Sequence, residues 1–348
     1  MLLKTLSELN GTSGAEHDVR NTLRSVITPW VDSTFIDKIG NLIAHKTGEK
    51  NTPKVLITAH MDEVALMITE ITSEGFLKFQ SVGGIDPRVL VSKPINISGI
   101  NGVIGAKAIH LQKLQERQQA LKLEQLYIDI GSKSKEEAAK YVKLGDYAYF
   151  TTEFEALGND FFKGKAFDDR VGCYILTEIL KKTFNLSLAA AFTVQEEVGL
   201  RGAKVAAYHL KPDFAIVLEG TVSAEMAHLE EEADWVTELG KGPALSIFDQ
   251  STLYNPLLIQ QVVDIAKNQK IPLQFRRGSS GGNDAGKIHI SREGIPTLCI
   301  NIPCRYIHSG VSLVNKKDIQ NTIKLVEEIL KEIPQKFNFN QEKGGLLE

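Results

Sequence analysis

The sequence predicts an α/β fold: a doubly wound, mixed but mostly parallel sheet with helices on both faces, and a small β-rich domain inserted into it. Three observations lead there. From about Asp169 onward, short and fully apolar runs alternate with helical stripes, the pattern of strands buried on both faces between crossover helices. Between about residues 66 and 158 the strand signals are short and cut by glycines. The length of 348 residues also exceeds what one hydrophobic core usually serves, so a main domain with a smaller partner is expected. The expected division is an α/β domain of residues 1–65 and 159–348 around an insert of residues 66–158.

The elements follow in order. Leu2, Leu3, Leu6 and Leu9 make one face of a short helix, which Gly11-Thr12-Ser13-Gly14 ends. Ser13 and Glu16 have capping-box spacing, and Val19, Leu23, Val26 and Ile27 give the face of a second helix. Strand-like runs lie at 34–39 and 54–59, the second leading into His60. The insert is divided by Gly75, Gly83-Gly84, Gly99, Gly102, Gly105, Gly131 and Gly145, with a polar stretch at 112–125. After it come a helical stripe (Val171, Tyr174, Ile175, Ile179), an apolar strand at 188–194, a helix at 203–210 and a strand at 214–218. Helices at 257–267 and 284–291 and strands at 271–275 and 297–302 lead to a closing helix. That helix carries Ile319, Ile323, Val326, Leu330 and Ile333 at spacings of four and three.

Composition removes several classes of function. With 43% hydrophobic and 24% charged residues the chain reads as globular, not disordered or fibrous. A net charge of −3 and a pI near 6.3 give no electrostatic footprint for nucleic acid or an acidic membrane. Cys173, Cys299 and Cys304 form no Cys-x-x-Cys pair and no disulfide framework, so a reducing compartment, the cytoplasm, is expected. No run is apolar and long enough for a signal peptide or a membrane span.

Five segments place acids or histidines where strands should end, and ligands of open α/β sheets bind outside the carboxyl ends of strands. His60 follows the apolar strand at 54–59, with Asp62 two residues on as a candidate orienter. Asp168 and Asp169 open a helix; read alone, a helix cap is the better account of the pair, with Asp168 as a ligand bridging two cations the alternative. Glu196 and Glu197 follow the strand at 188–194, and two consecutive carboxylates beside a buried strand need a positive partner. Glu219 ends the next apolar run, and His308 follows the last core strand. A hydrolytic metal site explains the convergence of His60, Asp168, Glu196, Glu197, Glu219 and His308. The other histidines (His17, His45, His110, His209, His228, His289) lack a partner at ligand spacing and read as structural.

These motifs resemble the dinuclear-metal aminopeptidases of peptidase family M42, the glutamyl and tetrahedral aminopeptidases, over nearly the whole chain. The resemblance rests on Ser13-Gly14, Ala59-His60-Met61-Asp62-Glu63, Asp86-Pro87, Gly131, Phe167-Asp168-Asp169-Arg170 and Gln195-Glu196-Glu197-Val198-Gly199-Leu200-Arg201-Gly202. Leu218-Glu219-Gly220-Thr221, Gly282-Asn283-Asp284-Ala285-Gly286 and Arg305-Tyr306-Ile307-His308-Ser309 complete it. It implies a metalloaminopeptidase, a hydrolase that removes the N-terminal residue of short peptides. It also implies two divalent ions per subunit (zinc or cobalt, with manganese a further option), bridged by Asp168. His60 and Glu219 would hold one ion, and Glu197 and His308 the other. Glu196 would be the general base acting on a bridging water, Asp62 would orient His60, and the Asp168–Asp169 peptide would be cis. The insert corresponds to a PDZ-like dimerisation domain, and self-association into dimers or a tetrahedral dodecamer is implied. Three positions depart from the common pattern: Glu219 and Glu225 stand where aspartate is frequent, and Asn283 where threonine is. Read from the residues alone, the pair Arg276-Arg277 is most simply solvated, with attraction of acidic substrate side chains the alternative. A related amidohydrolase or deacylase shares this chemistry. A glucanase, the label some relatives carry, needs two carboxyls flanking one bond, a geometry that adjacent residues serve poorly. A non-catalytic scaffold would have no need of the full set of ligands.

Overall fold

The computed structural model of the chain describes residues 1–50, 52–225, 236–278 and 281–336. Helices α1 (Leu2–Glu8) and α2 (His17–Ile27) precede the hairpin β1 (Ser33–Ile36) and β2 (Leu42–Lys46), and then β3 (Lys54–His60). Six strands follow: β4 (Ala65–Ile71), β5 (Leu77–Val82), β6 (Pro94–Ile97), β7 (Ile100–Ala106), β8 (Leu126–Asp129) and β9 (Tyr147–Phe150). With the single-turn helices α3 (Leu114–Arg117) and α4 (Lys135–Ala138), they form a closed barrel in the order β4-β5-β8-β7-β6-β9. The barrel has its own core, built from Leu66, Ile68, Leu77, Phe79, Ile95, Ile104, Leu126 and Ile128 among others.

The chain returns to the main sheet through β10 (Glu155–Leu157) and β11 (Phe161–Gly164), then α5 (Phe167–Leu180), β12 (Ser187–Thr193), α6 (Arg201–Leu210) and β13 (Phe214–Val222). β14 (Ala244–Ser246), α7 (Pro256–Asn268), β15 (Gln274–Arg276), α8 (Ala285–Ile288), β16 (Thr297–Arg305), β17 (Ser312–Asn315) and α9 (Lys316–Lys336) complete it. The main sheet has 11 strands. Alternate residues of its central strands feed two cores: Val55, Ile57, Leu188, Phe192 and Ile216 on the α5 and α9 side, and Leu56, Ala189, Ala191 and Val217 on the α6 and α8 side. Helices therefore cover both faces, as fully apolar strands require.

The sheet is parallel at its centre, through β12, β3, β13 and β16, and in the side pair β14–β15. Outside these strands, β1, β2, β17, β11 and β10 all pair antiparallel, which corrects the expectation of a mostly parallel sheet. The central strands are joined by crossover segments, whereas β1–β2, β10–β11 and β16–β17 are joined by short connections that impose antiparallel pairing, and β2–β12 and β11–β17 pair antiparallel between distant parts of the chain. Flanking strands such as β1 and β10 are half or fully exposed, so no apolar run announces them. Two local expectations also contract: the helix expected at 284–291 spans only Ala285–Ile288, and the strand at 271–275 only Gln274–Arg276. Among the described residues no helix is long and apolar enough to cross a membrane.

Candidate metal centre

The four parallel strands end at one edge of the sheet, and the acids and histidines collect there. His60 is the last residue of β3 and pairs with Thr193, the last of β12, so the turn carrying Glu196 and Glu197 leaves beside it. Glu219 lies near the end of β13, opposite Asn301 of β16. β16 ends at Arg305, and the chain turns back through His308, whose φ is 56°. Asp168 enters from the α5 side, and its peptide bond to Asp169 is cis, as the resemblance implied.

Each oxygen of Asp168 faces a different histidine. His60 Nε2 lies 3.3 Å from Asp168 Oδ1, 3.8 Å from Glu219 Oε1 and 4.0 Å from Glu196 Oε2. His308 Nε2 lies 3.4 Å from Asp168 Oδ2 and 3.6 Å from Glu197 Oε2. Donor atoms of His60, Asp168 and Glu197, and of His60, Glu196 and Glu219, fall within 4.8 Å of one another. His60 and the carboxylates are buried, whereas the His308 side chain is 39% exposed, which marks the side open to solvent.

The electrostatics describe a site that calls for cations. Burial pushes the carboxyls of Glu196 and Glu219 well above their ordinary range and raises Glu197 to about 7, with neighbouring carboxylates adding to the effect. Burial opposes the charged forms of both histidines, but Asp168 and the acids around it outweigh this, lifting His60 well above its usual value and His308 to about 9. His60 Nε2, Asp168 Oδ1 and Glu219 Oε2 are buried with no hydrogen-bond partner, although such atoms are costly to leave unpaired. Imidazole nitrogens and carboxylate oxygens are the donors that divalent ions such as zinc, cobalt and manganese accept, so the chemistry of this donor set fits a divalent metal.

The surrounding shell holds the donors in place. His60 Nδ1 lies 3.0 Å from the Asp62 carbonyl oxygen and 3.5 Å from Asp62 Oδ1, so the backbone of Asp62 is the nearer partner of the ring. The Asp62 carboxylate instead accepts the backbone N–H groups of Glu196 at 3.0 Å and Glu197 at 3.1 Å. Asp169 serves two parts of the fold: Oδ1 accepts the Gly172 N–H inside α5, and Oδ2 accepts the N–H of His60. The barrel also reaches the centre, because the Gly84 backbone hydrogen bonds the His308 ring. Gly83 and Gly84, read in the sequence only as breaks between strands, are residues that sequence reasoning missed. A side chain at Gly83 would meet Val64 at 2.7 Å and Glu197 at 3.3 Å.

Below the centre, Arg170 is fully buried and donates to the carbonyl oxygens of Met61, Leu6, Leu9 and Gly11. Lys165 Nζ donates to both oxygens of Glu63 at 2.8 Å. Together these ties bind the N-terminal segment to the end of β3. Asn283 donates to Asp249 and to the Tyr254 hydroxyl while its own oxygen accepts the Ala285 N–H, a set no threonine could make. Glu225 accepts from Arg305, Ser223 and the Leu239 N–H. Arg276 donates to Thr221 Oγ1 and to the Gly278 carbonyl oxygen. Among the remaining histidines, His45 stacks on Phe35 and His289 Nδ1 contacts the Ala285 carbonyl oxygen. His228 lies outside the described residues.

The family model of the M42 glutamyl aminopeptidases matches residues 40–325. A lysyl aminopeptidase from Pyrococcus furiosus is 34% identical over 95% of this chain and 96% of its own. Among solved structures, a TET aminopeptidase from a marine-sediment Thaumarchaeota archaeon superposes with a TM-score of 0.92 at 36% identity, covering 96% of each chain. The Pyrococcus horikoshii TET1 peptidase, described as able to assemble into a tetrahedron or a large octahedral shell, superposes with a TM-score of 0.84 at 36% identity. It covers 95% of this chain and 98% of its own.

Proposed function

The chain belongs to the M42 aminopeptidase family, and from that premise we propose that it removes the N-terminal residue of short peptides at a centre of two divalent ions held by His60, Asp168, Glu197, Glu219 and His308. The observation that carries this reading is the arrangement around Asp168. Its two oxygens face two histidines, each with its own glutamate, and three of the buried donor atoms have no other partner. When bound, such ions supply the Lewis acidity that makes a water nucleophilic near neutral pH and stabilises negative charge on the attacked carbonyl.

The chain's own residues do the rest. Glu196, whose carboxyl is held far above its ordinary value by burial, is the general base: it takes a proton from water and hands it to the leaving amine. Asp62 fixes the peptide groups on either side of that base and, through its carbonyl, the tautomer of His60. The carboxylate-rich wall attracts the protonated α-amine of a substrate, which confines cleavage to the first peptide bond. The barrel stands where the PDZ-like dimerisation unit of the family is expected. We assign it to self-association because it exposes Ile109, Leu111 and Leu114 within six residues of chain. A cytoplasmic location accords with three free, buried cysteines.

The test uses short peptides with free or acetylated N-termini, assayed with cobalt or zinc and again after chelation. Release of the first residue only, blocked by acetylation and by chelator, is the expected result. Glu196→Gln should lower kcat by ~10²–10⁴-fold while leaving metal binding in place. Cleavage of the acetylated peptides would instead identify a deacylase working with the same centre.

A further inference from the structure

Ser13 and Glu16 have the spacing of a capping box, yet neither caps a helix. Glu16 precedes α2 with no side-chain cap bond of its own. The Ser13 hydroxyl donates to Asp62 Oδ2 at 2.6 Å, and Glu16 Oε1 accepts the N–H groups of Gly14 at 2.8 Å and Gln195 at 3.1 Å. Asp62 Oδ1 accepts the N–H of Glu196 and Oδ2 that of Glu197. Three successive peptide N–H groups of the turn that carries the base are therefore held by two buried carboxylates, one from the N-terminal segment and one braced by it. The turn needs holding, because Gln195 sits in the left-handed region with φ 56°, which a non-glycine residue adopts only under constraint.

The N-terminal segment is itself anchored. Thr12 bridges to Glu63, the Glu63 N–H donates to the Gly11 carbonyl oxygen at 3.0 Å, and the Gly11 N–H donates to Glu63 Oε1 at 3.1 Å. Ser13 and Glu16 are 7% and 4% exposed, so water does not compete for these bonds. We propose that Ser13 and Glu16 are positioning residues of the centre: with Asp62, they fix the Gln195–Glu197 backbone so that Glu196 faces His60 and Glu197 faces His308. The consequence for catalysis rests on the aminopeptidase reading; the hold on the backbone does not.

Three measurements on Ser13→Ala, Glu16→Ala and Glu16→Gln proteins test the proposal. The last substitution keeps an oxygen that accepts the Gln195 N–H. Hydrogen exchange of the metal-free protein should quicken at residues 195–197 in both alanine variants, with the interior of β12 unchanged. For each alanine variant kcat should fall ~10–100-fold with KM within threefold, and zinc affinity, read by competition with a chelator, should weaken over the same range. Glu16→Gln should stay close to wild type in all three. Unchanged exchange at 195–197 in both alanine variants overturns the hold. Faster exchange with kcat and zinc affinity both within twofold of wild type overturns the positioning role. A wild-type protein that releases no N-terminal residue, yet loses zinc affinity in the alanine variants, overturns the aminopeptidase reading and leaves the hold standing.

Discussion

Glu196 and Glu197 are neighbours in the chain but face different histidines, because the turn after β12 rotates through the left-handed Gln195 and both peptide groups are captured by one aspartate. The same centre makes the protein's behaviour depend on pH. In the metal-free state His308 titrates at about 9 instead of 6.5, Asp168 and Glu197 outweighing its burial. A group raised in this way stabilises the fold fully below 6.5 and loses that contribution as pH climbs through 9. Glu197, raised by burial from 4.5 to about 7, has the same sign: its protonated form is favoured in the fold, and that contribution is full below 4.5 and is lost as pH rises through 7. Melting of the chelated protein should therefore shift to lower temperature between pH 5 and 9. Zinc should reverse the trend, because the ions take over the work of the protons. Binding must also release a proton from His308, so zinc affinity should rise with pH up to about 9; a falling affinity over that range would contradict the assignment of His308 as a ligand.

At the scale of elements, the site depends on how closely α5 approaches β13. A Cβ at Gly220 would lie 2.8 Å from Asp168 Oδ1 and 2.9 Å from its Cα, so only glycine admits the start of α5. Gly220→Ala is expected to displace Asp168 and to weaken binding of both ions by at least tenfold while the far-ultraviolet circular dichroism is kept; intact zinc affinity in a folded variant would refute this. The ties beneath β3 have a larger energetic effect. Glu63→Ala would strand Lys165, 2% exposed, beside the fully buried Arg170 without their carboxylate. Leaving a buried charge unpaired costs ~3–5 kcal/mol, which should appear as a large fall in the denaturant midpoint. The capping-box reading of Ser13 and Glu16 shows where sequence logic stops at this scale. The spacing is local information, whereas Asp62 and Gln195, which take the two side chains instead, arrive from 49 and 179 residues away.

At the scale of the whole molecule, the barrel is more than an appended unit, since it leaves the sheet just after His60 and returns a glycine loop against His308. Its exposed Ile109, Leu111 and Leu114 are the apolar surface we assign to self-association. Light scattering should give a solution mass that is a multiple of 38.4 kDa, and Leu111→Asp with Leu114→Asp should lower it while zinc affinity stays unchanged. A wild-type protein of single-subunit mass would remove that assignment.

The sequence by itself determined which residues stand at the edge of the central sheet. Apolar runs mark the carboxyl ends of strands β3, β12, β13 and β16: His60 closes β3, Glu219 lies in the last part of β13, and the Glu196-Glu197 pair and His308 stand in the turns just past β12 and β16. Burial periodicity is a local property and can be read from neighbours along the chain. Tertiary structure alone decided the antiparallel flanks, the pairing of each Asp168 oxygen with its own histidine, the support given by Gly83 and Gly84, and the diversion of Ser13 and Glu16 from helix to turn. The reason is physical. A short polar side chain or a backbone carbonyl commits to whichever partner folding brings within about 3 Å, and that partner is set by the packing of distant segments.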